Sequence, residues 1–143
     1  MFKGINWLAV LLATVVSMAL GFVWYDVLFA KVWHELNPGA PASNADPGLI
    51  GGVVTILVLS TGMAWVFART GVRGLGDGLM TAFVVCLAFD TTVYAGNVFL
   101  SHASLKGELF YAVFDMISFL VIGAVLSLMP ARSGAPAGAA ATA

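Results

Sequence analysis

Charge is what this sequence has least of. Asp, Glu, Lys and Arg make up 9% of its 143 residues, 6 basic against 7 acidic, where soluble domains carry about 25%. A chain this poor in basic residues offers no surface for nucleic acid. Cysteine is nearly missing too. The single Cys86 excludes an intramolecular disulfide and a multi-cysteine zinc site, and its apolar surroundings fit a small buried hydrophobe. Catalytic signatures are absent: no nucleophile–base motif and no His-x-x-x-His pair. The stretch from Gly71 to Gly78 is glycine-rich but lacks the Gly-Lys-Ser/Thr end of a phosphate loop. Carboxylates together with His34 and His102 have the chemistry to ligate a divalent ion, but no short ligand spacing supports it. Neither an enzyme activity, a metal nor a cofactor is expected.

What is abundant is hydrocarbon. The chain is 61% hydrophobic with a mean hydropathy of +1.01. Four apolar runs, about 5–30, 48–68, 78–100 and 107–129, are each long enough to cross a bilayer, which takes ~20 helical residues. Helices are the only choice, because the alternation of a membrane barrel is missing and lipid leaves no other way to satisfy the backbone. The expected fold is therefore all-α: an integral membrane four-helix bundle over residues 1–130, with short loops. The longest loop, Lys31 to Pro47, carries Asn37-Pro38-Gly39, Pro41 and Asp46-Pro47 as helix breakers. Arg69 to Asp77 reads as a glycine-rich turn. Ser101 to Lys106 is a tight link that makes the third and fourth helices antiparallel neighbours. After Pro130 the Ala/Gly/Pro-rich tail 131–143 is expected to be disordered. Lys3 and the Ser17-Met18-Ala19 triplet imitate a signal peptide, but the apolar run continues well past the triplet.

With four spans, Lys3, Arg69, Arg73 and Arg132 fall on one side, and Lys31 and Lys106 on the other. The excess of basic residues in short loops places both termini in the cytoplasm of a plasma (inner) membrane.

Against that background two aspartates stand out. Asp90 and Asp115 lie deep inside apolar runs, with no basic residue in reach along the sequence. Intramembrane carboxyls are costly and face a bundle interior or a wet cavity. At 1.5 Å per residue, Asp90 lies ~15 Å from Leu100 and Asp115 ~12 Å from Gly107, so both sit at similar depth in the outer half. Asp26 lies nearer the surface, ~6 Å from Ala30. Asp90, Tyr94, Asn97 and Ser101 share one helical face, and Glu108, Tyr111, Asp115 and Ser118 share another. Two polar stripes on neighbouring antiparallel helices point to a common pocket. Its expected lining is Asp90, Asp115, Tyr94, Asn97 and Tyr111, with Asp26 and either His34 or His102 at the mouth. Two acids in contact there would share a proton, and such a pair binds a cation, carries a proton or hydrogen-bonds a polar ligand. The competing reading is packing alone, since polar side chains hold membrane helices together at roughly 0.6–2 kcal/mol each.

Small residues recur every four positions at Ala13, Ser17 and Gly21, at Gly48 and Gly52, and at Gly123 and Ser127. This spacing lets helices approach closely, within the bundle or across a dimer. Trp7, Trp24, Tyr25, Trp33 and Trp65 lie near span ends, where interfacial anchors are expected.

The first span begins Asn6-Trp7 and ends Gly21-Phe22-Val23-Trp24-Tyr25-Asp26-Val27-Leu28-Phe29-Ala30-Lys31-Val32-Trp33. This resembles the bacterial family known as domain of unknown function 1761. Its members are small four-helix membrane proteins with an early Asn-Trp, then Gly-x-x-Trp-Tyr, then Leu-Phe-x-Lys-x-Trp. The resemblance is clearest over residues 6–33 and extends loosely to about residue 129. It implies fold and location but no mechanism, because the family has no established activity. Two functions stay open. One is a small transporter or channel for a small cation, proton or polar solute, for which four thin walls would require a homodimer. The other is an accessory or scaffold subunit of a larger membrane complex, its polar residues serving only helix packing.

Overall fold

The computed structural model describes residues 4–39 and 47–130. The expected disordered tail and the middle of the first loop lie outside the described residues. All regular structure among the described residues is helical: α1 (Trp7–Phe22), α2 (Ala30–Leu36), α3 (Pro47–Thr70), α4 (Gly74–Val85), α5 (Thr91–Ser101) and α6 (Leu105–Leu128). A π-helical segment, Val23–Leu28, continues α1, and another, Cys86–Asp90, joins α4 to α5. The result is four membrane-length helices, Trp7–Leu28, Leu49–Thr70, Gly74–Ser101 and Leu105–Leu128. The third has 28 residues. At 1.5 Å each it reaches about 42 Å, beyond a hydrocarbon core of ~30 Å, so it tilts or carries its ends into the headgroups.

Local chemistry sets the helix ends. Asn6 starts α1: its Oδ1 accepts from the backbone N–H groups of Leu8 and Ala9 at 3.1 and 3.3 Å, as an N-cap should. The same side chain donates through Nδ2 to the Met129 carbonyl at 3.0 Å, tying the beginning of the first span to the end of the last. Gly71 (φ +69) ends α3, with the N–H groups of Gly71 and Val72 both returning to the Phe67 carbonyl. The third span starts at Gly74, several residues before the expected Gly78. Asp77 therefore sits in the first helical turn, where a carboxylate favours the helix N-terminus, instead of in a loop. His102 takes the left-handed conformation (φ 55) that closes α5, and Ser104 caps α6.

The first loop differs from its expected form as well. The first span does not run unbroken to Ala30; it breaks at Phe29 (φ −125, ψ 23). The chain then continues as the short α2 until Asn37, and Pro38 cannot prolong it. Pro47, expected to end the loop, is the first residue of α3, a position that needs no backbone donor.

Helices α1 and α6 form the centre. The long α3 packs against α1 and touches α6, while the third span packs on α6. We call the end near Arg69 and Arg73 the arginine end, and the opposite end, with His34 and His102, the histidine end. The buried core gathers in the arginine half: Ala9, Val10 and Ala13 of α1, Met63, Ala64 and Phe67 of α3, Ala82 and Cys86 of the third span, and Phe119, Ile122 and Leu126 of α6. The outer surface is apolar almost throughout. Phe89 is 71% exposed, Ile50 70% and Leu8 66%. Such a surface belongs in lipid. At the arginine end the Arg69 guanidinium lies 5.4 Å from the Trp65 ring centre, a cation–π contact suited to the interface.

Candidate functional site

The third span presents one continuous face to α6, and that face changes character along its length. In the arginine half it is Gly78, Ala82 and Cys86, the buried residues of this span. Gly78 and Ala82 meet Gly123 and Ser127 at backbone contact distance. A Cβ on Gly78 would lie 2.5 Å from the Ser127 Cβ, and a Cβ on Gly123 2.7 Å from that of Ala82 and 2.9 Å from the Gly78 carbonyl oxygen. The small-residue signal at Gly123 and Ser127 thus serves the bundle. So does Ala13–Ser17–Gly21, where Ala13 and Ser17 are fully buried and Gly21 faces the Phe114 ring. Gly52 borders open space.

In the histidine half the same face becomes polar. The Tyr94 hydroxyl donates to Asp115 Oδ2 across the helix pair. One turn on, Asn97 Nδ2 donates to Glu108 Oε2 at 3.1 Å. Asp90 lies one turn from Tyr94 on the side nearer the arginine end. Its Oδ2 is buried and has no hydrogen-bond partner among the described residues. The two spans hold no Lys, Arg or His between Gly74 and Ser101, and only Lys106, in its first turn, within Leu105–Leu128. The structure therefore brings Asp90, Tyr94 and Asp115 together, with Asn97 beside them on Glu108.

Tyr111 belongs to the same stripe of α6, one turn from Asp115. Its hydroxyl meets Asn37 Nδ2 at 2.7 Å, while Asn37 also donates to the Trp33 carbonyl at 3.0 Å. Asp26 stays apart: it is exposed on the outer side of its π-helical segment. Its neighbours Trp24 and Tyr25 turn inward instead. Tyr25 stacks on Phe114, ring centres 4.7 Å apart, and lies within the field of Asp115 and Tyr111. Trp24 packs among Phe29, Phe110 and Phe114 at 4.5, 5.8 and 5.9 Å. These two aromatics of the Trp-Tyr pair therefore pack toward α6 beside the cluster. His34 and His102 are exposed, and neither reaches the acids. No group of three His, Cys, Asp or Glu side chains suited to a metal ion occurs among the described residues.

Spacing along one helix missed Tyr25, Asn37 and the pairing role of Glu108. The pointer to Tyr25 was its place in the Trp-Tyr pair. Asn37 sits in an Asn-Pro-Gly run that reads as a turn. Both π-helical segments adjoin the cluster, one carrying Tyr25 and the other Asp90. Such widened turns recur at functional sites because they displace side chains from the regular helical track.

The fold and this acid-bearing interhelical face define a small multi-span membrane protein with a polar cluster inside its bundle. The family model described as "Protein of unknown function (DUF1761)" matches residues 8–127, and the chain belongs to that family. No curated protein and no solved structure matches it.

Proposed function

We propose that the cluster of Asp90, Tyr94 and Asp115 is a binding site for a proton or small cation, reached from the histidine end, and that the protein binds or conducts such a species. The observation that carries this reading is the unpartnered, buried Asp90 oxygen one helical turn from Tyr94, the residue that bonds a second carboxyl, Asp115, with no basic side chain in either span beyond the first turn of α6 to balance them. Two acids inside a medium of low polarity are accommodated by taking up a proton or a cation. The neighbouring Asn97–Glu108 pair, by contrast, closes its bond across the helix pair. The excess of basic residues beside the arginine end, Arg69 and Arg73 among them, points that end to the cytoplasm of a plasma membrane and the site to the outer side.

The test is uptake into proteoliposomes holding a pH-sensitive dye, under an imposed cation or proton gradient. Asp115→Asn and Asp90→Asn should each abolish the protein-dependent signal while leaving insertion and helix content intact. Equal signals from both variants and the unaltered protein would contradict the proposal.

One observation favours a second reading, that of an accessory subunit. On α3, Gly51, Gly52 and Gly62 border open space, which suits close approach by a foreign helix. Purification in mild detergent decides: a stable heterologous partner supports the accessory role, and a lone monomer or homodimer opposes it.

A further inference from the structure

We infer that the segment Ala30–Asn37 is a latch that closes the histidine end of the acid cluster, and that its release admits the proton or cation. The inference rests on the binding-site reading above. Two side-chain bonds shut the polar stripe of α6 at that end. From one side Asn97 holds Glu108 at 3.1 Å; from the other Asn37 holds the Tyr111 hydroxyl at 2.7 Å, one turn from Asp115. The two differ in what they hang from. Asn97 belongs to an unbroken span, whereas Asn37 ends a separate seven-residue helix set off from the first span by the break at Phe29.

Beyond Asn37, Trp33 of the segment meets the Tyr25 ring edge-on at 6.5 Å, and the remaining contacts are light. Leu36 lies over Gly107, its Cδ2 3.5 Å from where a Cβ would be, and Glu35 meets Lys106 at 3.6 Å with both side chains exposed. An exposed ion pair adds little. Gly107 is buried beneath the segment, so the contact depends on a residue with no side chain. Freeing Asn37 from Tyr111 therefore lets α2 swing about Phe29 without disturbing the packed arginine half. In the aromatic wall, Trp24 and Tyr25 lie before the break and Phe114 is on α6, so these three stay in place while Trp33 leaves Tyr25.

The experiment follows the C=O stretch of the protonated carboxyl by infrared spectroscopy of the full chain in nanodiscs, as water is exchanged for D2O. Asp115→Asn and Asp90→Asn assign the band. Asn37→Ala and Tyr111→Phe should each speed its isotope shift about tenfold, the factor that corresponds to loss of one ~1.4 kcal/mol interaction. The double variant should be no faster than either single one, because both remove the same bond. Tyr111→Phe keeps the ring packed on Phe110 and guards against a folding defect in Asn37→Ala. Exchange rates within twofold of the unaltered protein in both single variants would overturn the latch. Failure of the binding-site reading looks different: no carboxyl band that responds to either aspartate substitution, which would remove the latch's purpose as well.

Discussion

The two halves of the contact between the third and fourth spans are built from opposite materials. Toward the arginine end, Gly78, Ala82, Gly123 and Ser127 bring two backbones together so closely that no added Cβ fits. Toward the histidine end, Asp90, Tyr94, Asn97, Glu108 and Asp115 face the same contact with longer, polar side chains. The main apolar core cluster follows the first half, while the second holds the buried Phe114 with Trp24 and Tyr25 packed on it. In lipid no hydrophobic force draws helices together, so close van der Waals contact between small residues is the main source of association. The arginine half thus supplies the stability that lets the histidine half keep an unpaired carboxyl oxygen. A site on a rigid base is the common arrangement where function costs stability.

Substitutions can break or sharpen that contrast. The largest effect should come from Gly123→Leu, which drives a branched side chain into Ala82 and the Gly78 backbone. A loss of about 3 kcal/mol or more is expected, at the upper end of overpacking costs, read from reversible unfolding in mixed detergent. Gly96→Ala on the neighbouring third span, where nothing lies within 4 Å of the new Cβ, serves as its control and should not destabilise the fold. Next comes Asn6→Ala. It removes the cap of α1 and the bond to Met129 together, and should cost about 1–2 kcal/mol in the same assay. In the polar half Tyr94→Phe deletes the bond to Asp115 but keeps the ring, so the expected loss is about 0.6 kcal/mol, the average for an interhelical hydrogen bond in a membrane. If Tyr94→Phe cost as much as Gly123→Leu, the division of labour between the halves would be wrong.

Much of this contrast is legible in the sequence, and the limits have physical causes. Span number and class follow from hydropathy and length, which lipid enforces strictly. The polar stripes follow from spacings of three and four, and they do place Asp90, Tyr94 and Asp115 on facing helices. Extrapolation along a regular helix fails where the helix widens. In Val23–Leu28 the hydrogen bonds skip one residue further, so Trp24 and Tyr25 pack against α6 and Asp26 is exposed, away from the pocket mouth expected for it. Asn37 was hidden for another reason. Asn-Pro-Gly does end a helix, but the side chain that reaches Tyr111 is fixed by where α2 lies over α6, and no local pattern encodes that. Asn6 reads as part of a motif; its tie to Met129 spans almost the whole chain and appears only in three dimensions.

The most direct test of the central claim, that the polar half is a site and not a fastening, is the unfolding free energy of Asp90→Asn. If Asp90 waits for a ligand, its buried oxygen has no bond to lose, and the nearly isosteric amide should leave stability unchanged or raise it. A drop of about 1–2 kcal/mol, the scale of a polar fastener between membrane helices, would contradict the account.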